Sequence, residues 1–277
     1  MVDSTELTIV SLNCLNPKYA LDDRYYVHEC DFSDLNPNDC HINHYLPWNY
    51  RKEKLTEFIV NLNPDIICLQ EVNYEMACHI CKAVTGELFL SFRKSDKSDG
   101  CAIIWTTKKI KPTTKFWRGE MFYYKYSNEH IIQICELQLL NNKEITIMNT
   151  HVNWLTRNED IKETLYPLFE KELKKQLTLL IGDFNAEINE DWFSLFDKNP
   201  LFFDVFENNR PLFTFISSTK NKPLEKKTID HCFISGLSNK NIEIKPFCLS
   251  TNSYPKYLPN SQFPSDHLPL VICVKIE

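Results

Sequence analysis

The stretch Phe263-Pro-Ser-Asp-His-Leu-Pro-Leu270 places an acid and a histidine at the start of an apolar run that continues to Ile276. A short apolar run of this kind predicts a buried strand, over residues 268–276. An acid beside a histidine at the mouth of such a strand is typical of proton-transfer chemistry. We therefore predict that a core strand holds Asp266 and His267 as a catalytic pair.

Three upstream segments share this design, because each places acids, amides or a histidine where an apolar strand ends. These segments are Cys68-Leu-Gln-Glu-Val72, Met148-Asn-Thr-His-Val152 and Ile181-Gly-Asp-Phe-Asn-Ala186. Four strand ends therefore offer metal-ligand and proton-transfer groups.

Composition predicts one α/β domain over residues 1–277, since the 277-residue chain contains no linker-like tract. The hydrophobic fraction of 43% is ample for a sizeable core, and no apolar run is long enough to cross a bilayer. The N-terminus lacks the features of a secretory signal, and eleven scattered cysteines fit reduced thiols, so we expect a cytoplasmic protein. A net charge of −6 argues against broad electrostatic binding of nucleic acid, but it leaves room for a local basic groove.

Hydrophobic periodicity predicts a strand-rich chain interrupted by two helices, at residues 50–62 and about 160–176. The predicted strands cover residues 7–12, 65–70, 88–92, 101–106, 131–139, 145–150, 177–182, 229–234, 242–249 and 268–276. The long polar and aromatic segment 17–47 is interpreted as a lid or substrate wall.

Glu71 is the predicted ligand of Mg²⁺, with Mn²⁺ as an alternative, because hard divalent cations prefer oxygen ligands. In Gly182-Asp-Phe-Asn185 the acid and the amide are two residues apart, so on an extended chain both would point to the same face. Asp183 could then orient or deprotonate a water while Asn185 hydrogen-bonds a phosphoryl oxygen. The alternative for these four residues is a simple Asx turn.

His151 follows one predicted apolar strand, and His267 precedes another. A protonated imidazole at either place could stabilise a phosphoryl transition state. Asp230 could hold one of these rings in its productive tautomer. The alternative is that each histidine has a structural role. Lys226 and Lys227 belong to a lysine-rich run that is either a solvated loop or a contact to a phosphate backbone.

A zinc site is a weaker alternative, because its candidates are not paired at a standard interval. Those candidates are His28, Cys30, Cys40, His41, His44 and the segment Cys78-His-Ile-Cys81.

A set of six motifs, read in order along the chain, resembles the endonuclease/exonuclease/phosphatase superfamily, whose founding member is pancreatic deoxyribonuclease. The motifs are Asn13, Gln70-Glu71, His151, Gly182-Asp183-Phe184-Asn185, Ile229-Asp230 and Ser265-Asp266-His267. The sequence segments around these motifs resemble the superfamily's deadenylase branch, which includes nocturnin and the Angel proteins. They are Trp48-Asn-Tyr-Arg-Lys52, Asn63-Pro-Asp-Ile-Ile-Cys-Leu-Gln-Glu-Val72, Asp99-Gly-Cys-Ala-Ile103 and Leu258-Pro-Asn-Ser-Gln-Phe-Pro-Ser-Asp-His267.

The resemblance implies a four-layer α/β sandwich of two packed mixed β-sheets flanked by helices, and metal-assisted hydrolysis of a phosphoester. Carried over by position, the metal site would comprise Glu71 and Asp266. The catalytic set would be Asn13, His151, Asp183, Asn185, Asp230 and His267.

Two departures bear on the substrate. In the poly(A)-specific members, an aromatic ring shortly before the Ile-Asp motif and a proline shortly after the Thr-His-x-x-Trp segment look like a clamp on the terminal adenine. This chain has Leu224-Glu-Lys-Lys227 and Leu155-Thr-Arg157 there. We predict that Arg157, Lys226 and Lys227 contact the substrate.

The leading prediction is a Mg²⁺-dependent 3′–5′ exoribonuclease acting on single-stranded RNA. The alternative is a phosphatase that removes a terminal, 2′ or cyclic phosphate from RNA or a nucleotide cofactor. A catalytically silent binding module is disfavoured because the full catalytic set is present. No membrane is expected as a partner.

Overall fold

The computed structural model describes residues 4–20, 47–92, 99–111, 131–172, 177–217, 225–235, 242–247, 254–255, 258–260 and 262–276. Most of the segment predicted to be a lid or wall, and most of the zinc candidates, lie outside these residues.

The first sheet has six strands in the order β12-β13-β1-β2-β4-β3. β1 runs parallel to β2 and antiparallel to β13, so the chain's two ends meet in the middle of one sheet. The strands are β1 (Thr5–Asn13), β2 (Ile66–Val72), β3 (Gly86–Phe92), β4 (Gly100–Thr106), β12 (Ile242–Phe247) and β13 (Leu270–Ile276).

The second sheet has five strands in the order β5-β6-β7-β11-β8, with β6 and β7 parallel and the other neighbours antiparallel. Its strands are β5 (Ile131–Gln138), β6 (Glu144–His151), β7 (Thr178–Asp183), β8 (Phe202–Asp204) and β11 (Asp230–Ser235). A separate hairpin pairs β9 (Phe215–Ser217) with β10 (Glu225–Lys227).

Helices cover the outer faces of both sheets. They are α1 (Pro17–Ala20), α2 (Trp48–Asn61), α3 (Tyr74–Val84), α4 (Arg157–Asp160), α5 (Tyr166–Glu172) and α6 (Phe193–Asp197), with a π-helical turn at Ile161–Leu165 joining α4 to α5.

Three apolar clusters separate the four layers. The central cluster contains residues of both sheets, such as Ile9 and Ile66 from the first and Ile147 and Ile181 from the second. A second cluster packs α2 and α3 on the outside of the first sheet, and a third packs the helices of residues 157–197 on the outside of the second. Strands buried on both faces explain why the sequence shows continuous apolar runs rather than alternation. The predicted α/β sandwich is confirmed.

A buried amide network crosses between the sheets next to the strand ends. Asn149 of β6 accepts a 2.7 Å hydrogen bond from Nε2 of Gln70 in β2 and donates to the carbonyl of Leu69. It also donates to Oε1 of Gln133, whose Nε2 donates to Ser91. Because buried amides require specific partners, this network fixes how the two sheets align.

Every strand predicted from periodicity is present within two residues or so at each end, and so is helix α2. Helix α3 was missed although its buried residues Met76, Ala77 and Ile80 stand at helical spacing and Asn73 caps its N-terminus. The three-residue strands β8, β9 and β10 were also missed, since so few residues carry no periodic signal. Within the described residues, no helix is long and apolar enough to cross a membrane.

Candidate active site

The site lies where strands of both sheets end. In the second sheet, Asp183 ends β7 and is paired in register with His151 on β6 and with Asp230 on β11. In the first sheet, Asn13 ends β1 beside Gln70 of β2. Asn13 joins the two sheets, because its Nδ2 donates a 2.9 Å hydrogen bond to Oδ2 of Asp183.

Asp183 is the centre of the cluster and is almost completely buried. Its Oδ2 lies 3.6 Å from Nε2 of His151 and 3.8 Å from Nε2 of His267. These two distances are longer than a direct hydrogen bond, so the imidazoles face the carboxylate without closing on it. Two potential donors and one acceptor therefore converge on a single small space.

Asn185 adopts the left-handed conformation, with φ 51°, so the prediction that it follows Asp183 on an extended chain is wrong. Its backbone N–H donates a 2.8 Å hydrogen bond to Oδ1 of Asp183, which confirms the Asx turn. Its side-chain Nδ2 donates to the carbonyl of Val152. In this turn Oδ1 of Asp183 is the acceptor, so Oδ2 is the oxygen that faces the two histidines.

Gly182 explains how β7 brings Asp183 so close to β6. Its φ of 144° is a conformation that L side chains rarely adopt, and a Cβ here would lie 2.1 Å from the carbonyl oxygen of Thr150. Only glycine permits this approach of the two strands.

His267 is held by Asp230, which accepts a 2.9 Å hydrogen bond from Nδ1 of the ring. Asp230 is itself fixed because Oγ1 of Thr214 accepts hydrogen bonds from the backbone N–H groups of Ile229 and Asp230. The ring orientation leaves Nε2 facing Asp183. This geometry agrees with the predicted Asp230–His267 pair.

Burial and the surrounding charges shift the two central pKa values in useful directions. Burial, partly offset by His267 and Asn13, raises the pKa of Asp183 from 3.8 to about 7. For His267, burial lowers the pKa, but the charges of Asp230 and Asp183 outweigh it and raise the pKa to about 10. At neutral pH the imidazole is therefore a cation, and the carboxylate is close to its titration point.

Glu71 lies in a β-bulge, where the pairing of β2 with β4 shifts register between Leu69 and Val72. Its φ of 57° is unusual for a residue with a side chain, and such conformations concentrate at functional sites. The backbone N–H of Asn16 donates a 3.0 Å hydrogen bond to Oε2. The other oxygen, Oε1, lies 3.9 Å from Nε2 of His151, so Glu71 faces the same space as Asp183.

Arg51 of α2 is a buried cation that contacts the backbone next to the site residues. Its guanidinium donates to the carbonyls of Cys14, Leu15 and Pro264, at 2.8, 2.6 and 3.0 Å, and so joins the end of β1 to the segment before His267. Burial lowers the pKa of Arg51, and the charge of Asp266 is the largest opposing influence. Burial also raises the pKa of Asp266, against the charges of His267 and Arg51.

Within the described residues, one group of three metal-binding side chains has ligand atoms within 4.8 Å of one another, namely Asp183, Asp230 and His267. Such a group could hold a cation, but a protonated His267 that donates to Asp230 has no lone pair to offer there. The carboxylate oxygens of Glu71, which face the same space, suit a hard divalent cation better.

The predicted substrate contacts lie farther out. Arg157 is paired with Glu190 at 2.9 Å, and Lys227 is paired with Glu225 at 3.0 Å. Nζ of Lys226 lies 4.6 Å from the centre of the Phe213 ring. Their contact with substrate stays a prediction.

Sequence reasoning missed Asn16, Arg51 and Asn149 as residues that position the site. Arg51 had a usable signal, since it lies four residues before Leu55 on the apolar face of α2, where a charge is out of pattern. Asn16 had none, because its role depends on a loop returning to Glu71.

Two packed mixed sheets, with carboxylates, amides and histidines converging at one edge, define a hydrolase acting on phosphoester bonds. Residues 11–267 match the Endonuclease/Exonuclease/phosphatase family, and the chain belongs to this family. Enzymes of this family are generally dependent on divalent metals.

Curated relatives include the CCR4-Not complex 3′-5′-exoribonuclease subunit Ccr4 of Kluyveromyces lactis, 24% identical over 297 residues, with 82% of this chain and 37% of the relative covered. The probable Ccr4 subunit of Vairimorpha ceranae is 27% identical over 289 residues, with coverages of 83% and 58%. The chain thus spans between about a third and somewhat over half of the length of such relatives.

Solved structures share the fold. ANGEL2, a 2′,3′-cyclic phosphatase, superposes with a TM-score of 0.74 at 17% identity, covering 99% of this chain and 96% of that one. The human Nocturnin catalytic domain gives a TM-score of 0.68 at 19% identity, with coverages of 99% and 96%.

Proposed function

We propose that this chain is a Mg²⁺-dependent 3′–5′ exoribonuclease acting on single-stranded RNA. The observation that carries the proposal is the convergence of His151 and His267 on Oδ2 of Asp183, at 3.6 and 3.8 Å, with Glu71 facing the same space. The Ccr4 relatives support the choice of RNA as substrate.

Each residue has a distinct task in this proposal. Asp183, with a pKa of about 7, accepts the proton of the attacking water, since a general base works best near the ambient pH. Asn13 and the backbone N–H of Asn185 hold its carboxylate in place. The His267 imidazolium donates a hydrogen bond to a phosphoryl oxygen as negative charge builds there.

Glu71 would hold the Mg²⁺ ion, with Asp266 as the second predicted ligand and Mn²⁺ as a second candidate metal. When bound, the cation neutralises charge on the phosphoryl group. Asn16 orients Glu71 for this purpose through its 3.0 Å backbone hydrogen bond. The cytoplasmic location expected from the sequence also stays a prediction.

The second candidate is a phosphatase that removes a terminal, 2′ or cyclic phosphate. The specific observation in its favour is that the two positions where the resemblance implies an adenine clamp are occupied by charged pairs, Arg157 with Glu190 and Glu225 with Lys227. The likeness to ANGEL2 in fold is consistent with it.

One experiment separates the two candidates. End-labelled RNAs with an adenosine tail, a uridine tail, a 3′-phosphate or a 2′,3′-cyclic phosphate are incubated with the protein and Mg²⁺, and the products are resolved on a gel. Stepwise shortening is expected for the exoribonuclease, whereas loss of the terminal phosphate alone would identify the phosphatase.

The controls are Asp183→Asn, which should be inactive, and Asp191→Asn, which removes an acid whose side chain is 93% exposed and should be active. RNAs left unchanged by the wild-type protein with either Mg²⁺ or Mn²⁺ would refute both candidates.

A further inference from the structure

Residues 266–268 pair with β9 through an isolated β-bridge beside the β9–β10 hairpin. The backbone N–H of Ile216 donates to the carbonyl of Asp266, and that of Leu268 donates to the carbonyl of Thr214. These two bonds flank the bridge between Phe215 and His267. Phe215 and His267 are therefore a non-hydrogen-bonded antiparallel pair. In a pair of this kind the two side chains lie close together on one face.

The Phe215 ring accordingly packs beside the catalytic imidazole, with 4.8 Å between the ring centroids. The opposite face of this small sheet is apolar, since Ile216 and Leu268 lie in a buried cluster. Phe215 is itself only partly buried. Its ring therefore has one side toward His267 and is still accessible next to the reaction centre.

Lys227 extends the same row. It is directly opposite Phe215 on β10, so its side chain is on the same face, whereas the neighbouring Lys226 is on the other face, over the Phe213 ring. Exposure increases along the row: His267 is 4% exposed, Phe215 is intermediate, and the Lys227 side chain is 41% exposed. The row leads from the reaction centre to solvent.

We propose that Phe215 is a specificity-determining residue, whose ring stacks on the nucleobase next to the scissile phosphate, and that Lys227 contacts the following phosphate. This inference rests on the proposed function and names the substrate feature that the site reads, which is an unpaired base beside the phosphate. Aromatic rings are sequence-tolerant platforms, because every base has a π-face. A duplex end would be a poor substrate, since its base is already stacked.

Two oligoribonucleotides that differ only in whether the 3′-terminal residue carries a base test the stacking. The wild-type protein should prefer the base-bearing substrate by about 5- to 150-fold in kcat/KM, as expected for one stacked base. Phe215→Leu should lose most of this preference, and Phe215→Trp should keep it. The matched control Phe203→Leu changes a 37% exposed phenylalanine of β8 and should keep the preference in full.

A Phe215→Leu variant that retains the preference would overturn the inference, as would an equal loss of activity on both substrates, which indicates a structural role. If the wild-type protein cleaves neither oligonucleotide, the proposed function fails and stacking is judged from binding of the same pair by fluorescence anisotropy. Equal affinity of the wild type for both would then overturn the inference.

The lysines provide an independent comparison. Lys227→Ala should weaken RNA binding and reduce the slope of log affinity against log salt by about 1, as for one lost phosphate contact. Lys198→Ala, which removes an exposed lysine just after α6, should leave the slope unchanged. Equal slopes in both variants would refute the contact made by Lys227.

Discussion

At the scale of single residues, the proposed chemistry depends on two side chains, Asp183 and His267, whose pKa values differ from those of the free amino acids. Asp183 is easier to protonate because it is buried, and His267 is harder to deprotonate because two carboxylates face it. Their proximity places a base and a cation around one small space. The charge of His267 depends on Asp230, which accepts a 2.9 Å hydrogen bond from the imidazole.

Asp230→Asn should lower kcat by about 10²- to 10⁴-fold, the usual contribution of a well-oriented acid–base group. The amide keeps the size of the side chain but removes the charge that keeps His267 protonated. Steady-state kinetics on the preferred RNA would measure the loss, with Asp204→Asn as a comparison that alters a paired acid elsewhere in the sheet. A kcat within threefold of the wild type would contradict the role of Asp230, given that range.

His267 also makes stability depend on pH. Its pKa is raised from 6.5 to about 10 in the folded protein, so the folded state binds this proton more tightly. The stabilisation is fully present below pH 6.5 and is lost as the pH rises through about 10. Urea unfolding of the metal-free wild type and of His267→Gln should be measured from about pH 7.5 to about pH 10.5. Over this range the wild type should lose its excess free energy of unfolding over the variant. A constant difference between the two proteins would contradict the shift.

At the scale of elements, irregular backbone at strand ends aims the site residues. The bulge at Glu71 turns one carboxylate out of β2, and Gly182 lets β7 approach β6 at the level of Asp183. Both features break the regular ladder next to the site, which is where bulges are over-represented.

Gly182→Ala should destabilise the protein by at least about 2 kcal/mol, because the added Cβ meets the Thr150 carbonyl and φ is strained. It should also abolish activity, since β7 must move away from β6 and so separate Asp183 from His151. Denaturant unfolding and RNA hydrolysis would measure both effects. The comparison is Ile181→Val in the same strand, expected to cost about 0.5–1.5 kcal/mol and to leave activity intact.

Helix α2 contributes to the site through a single buried side chain. Arg51→Met would leave three carbonyl groups without their donor, at ~1–3 kcal/mol for each buried acceptor that stays unsatisfied. We expect a marked loss of stability together with loss of activity, because the ends of β1 and the segment at Pro264 separate. Lys54→Met, on the same helix but half-exposed, should change neither.

At the scale of the whole molecule, the active site exists only where two sheets meet. The Asn13–Asp183 hydrogen bond joins residues 170 positions apart, and the Gln70–Asn149 network keeps the sheets aligned behind it. The candidate site residues from the two sheets therefore depend on the same interface.

Mg²⁺ should stabilise the folded protein, because the carboxylates that hold it come together only on folding. At a Mg²⁺ concentration about 100-fold above Kd, the free energy of unfolding should increase by ~2.7 kcal/mol. The increase is detected as a rise in Tm. Glu71→Gln should lose this rise, and Glu144→Gln, which removes an exposed acid at the start of β6, should keep it. An undiminished rise in Glu71→Gln would exclude Glu71 as a ligand.

The sequence by itself determined the longer strands, the helix α2, the fold class and the residues that come together at the candidate site. Continuous apolar runs ending in polar residues are a local signal, and both strands and their ends can be read from it. The carbonyl partners of Arg51 and the ring of Phe215 beside His267 were decided only by tertiary structure. Each depends on contacts between segments far apart in the chain, such as residues 215 and 267, and no local pattern of residues encodes which of them will meet.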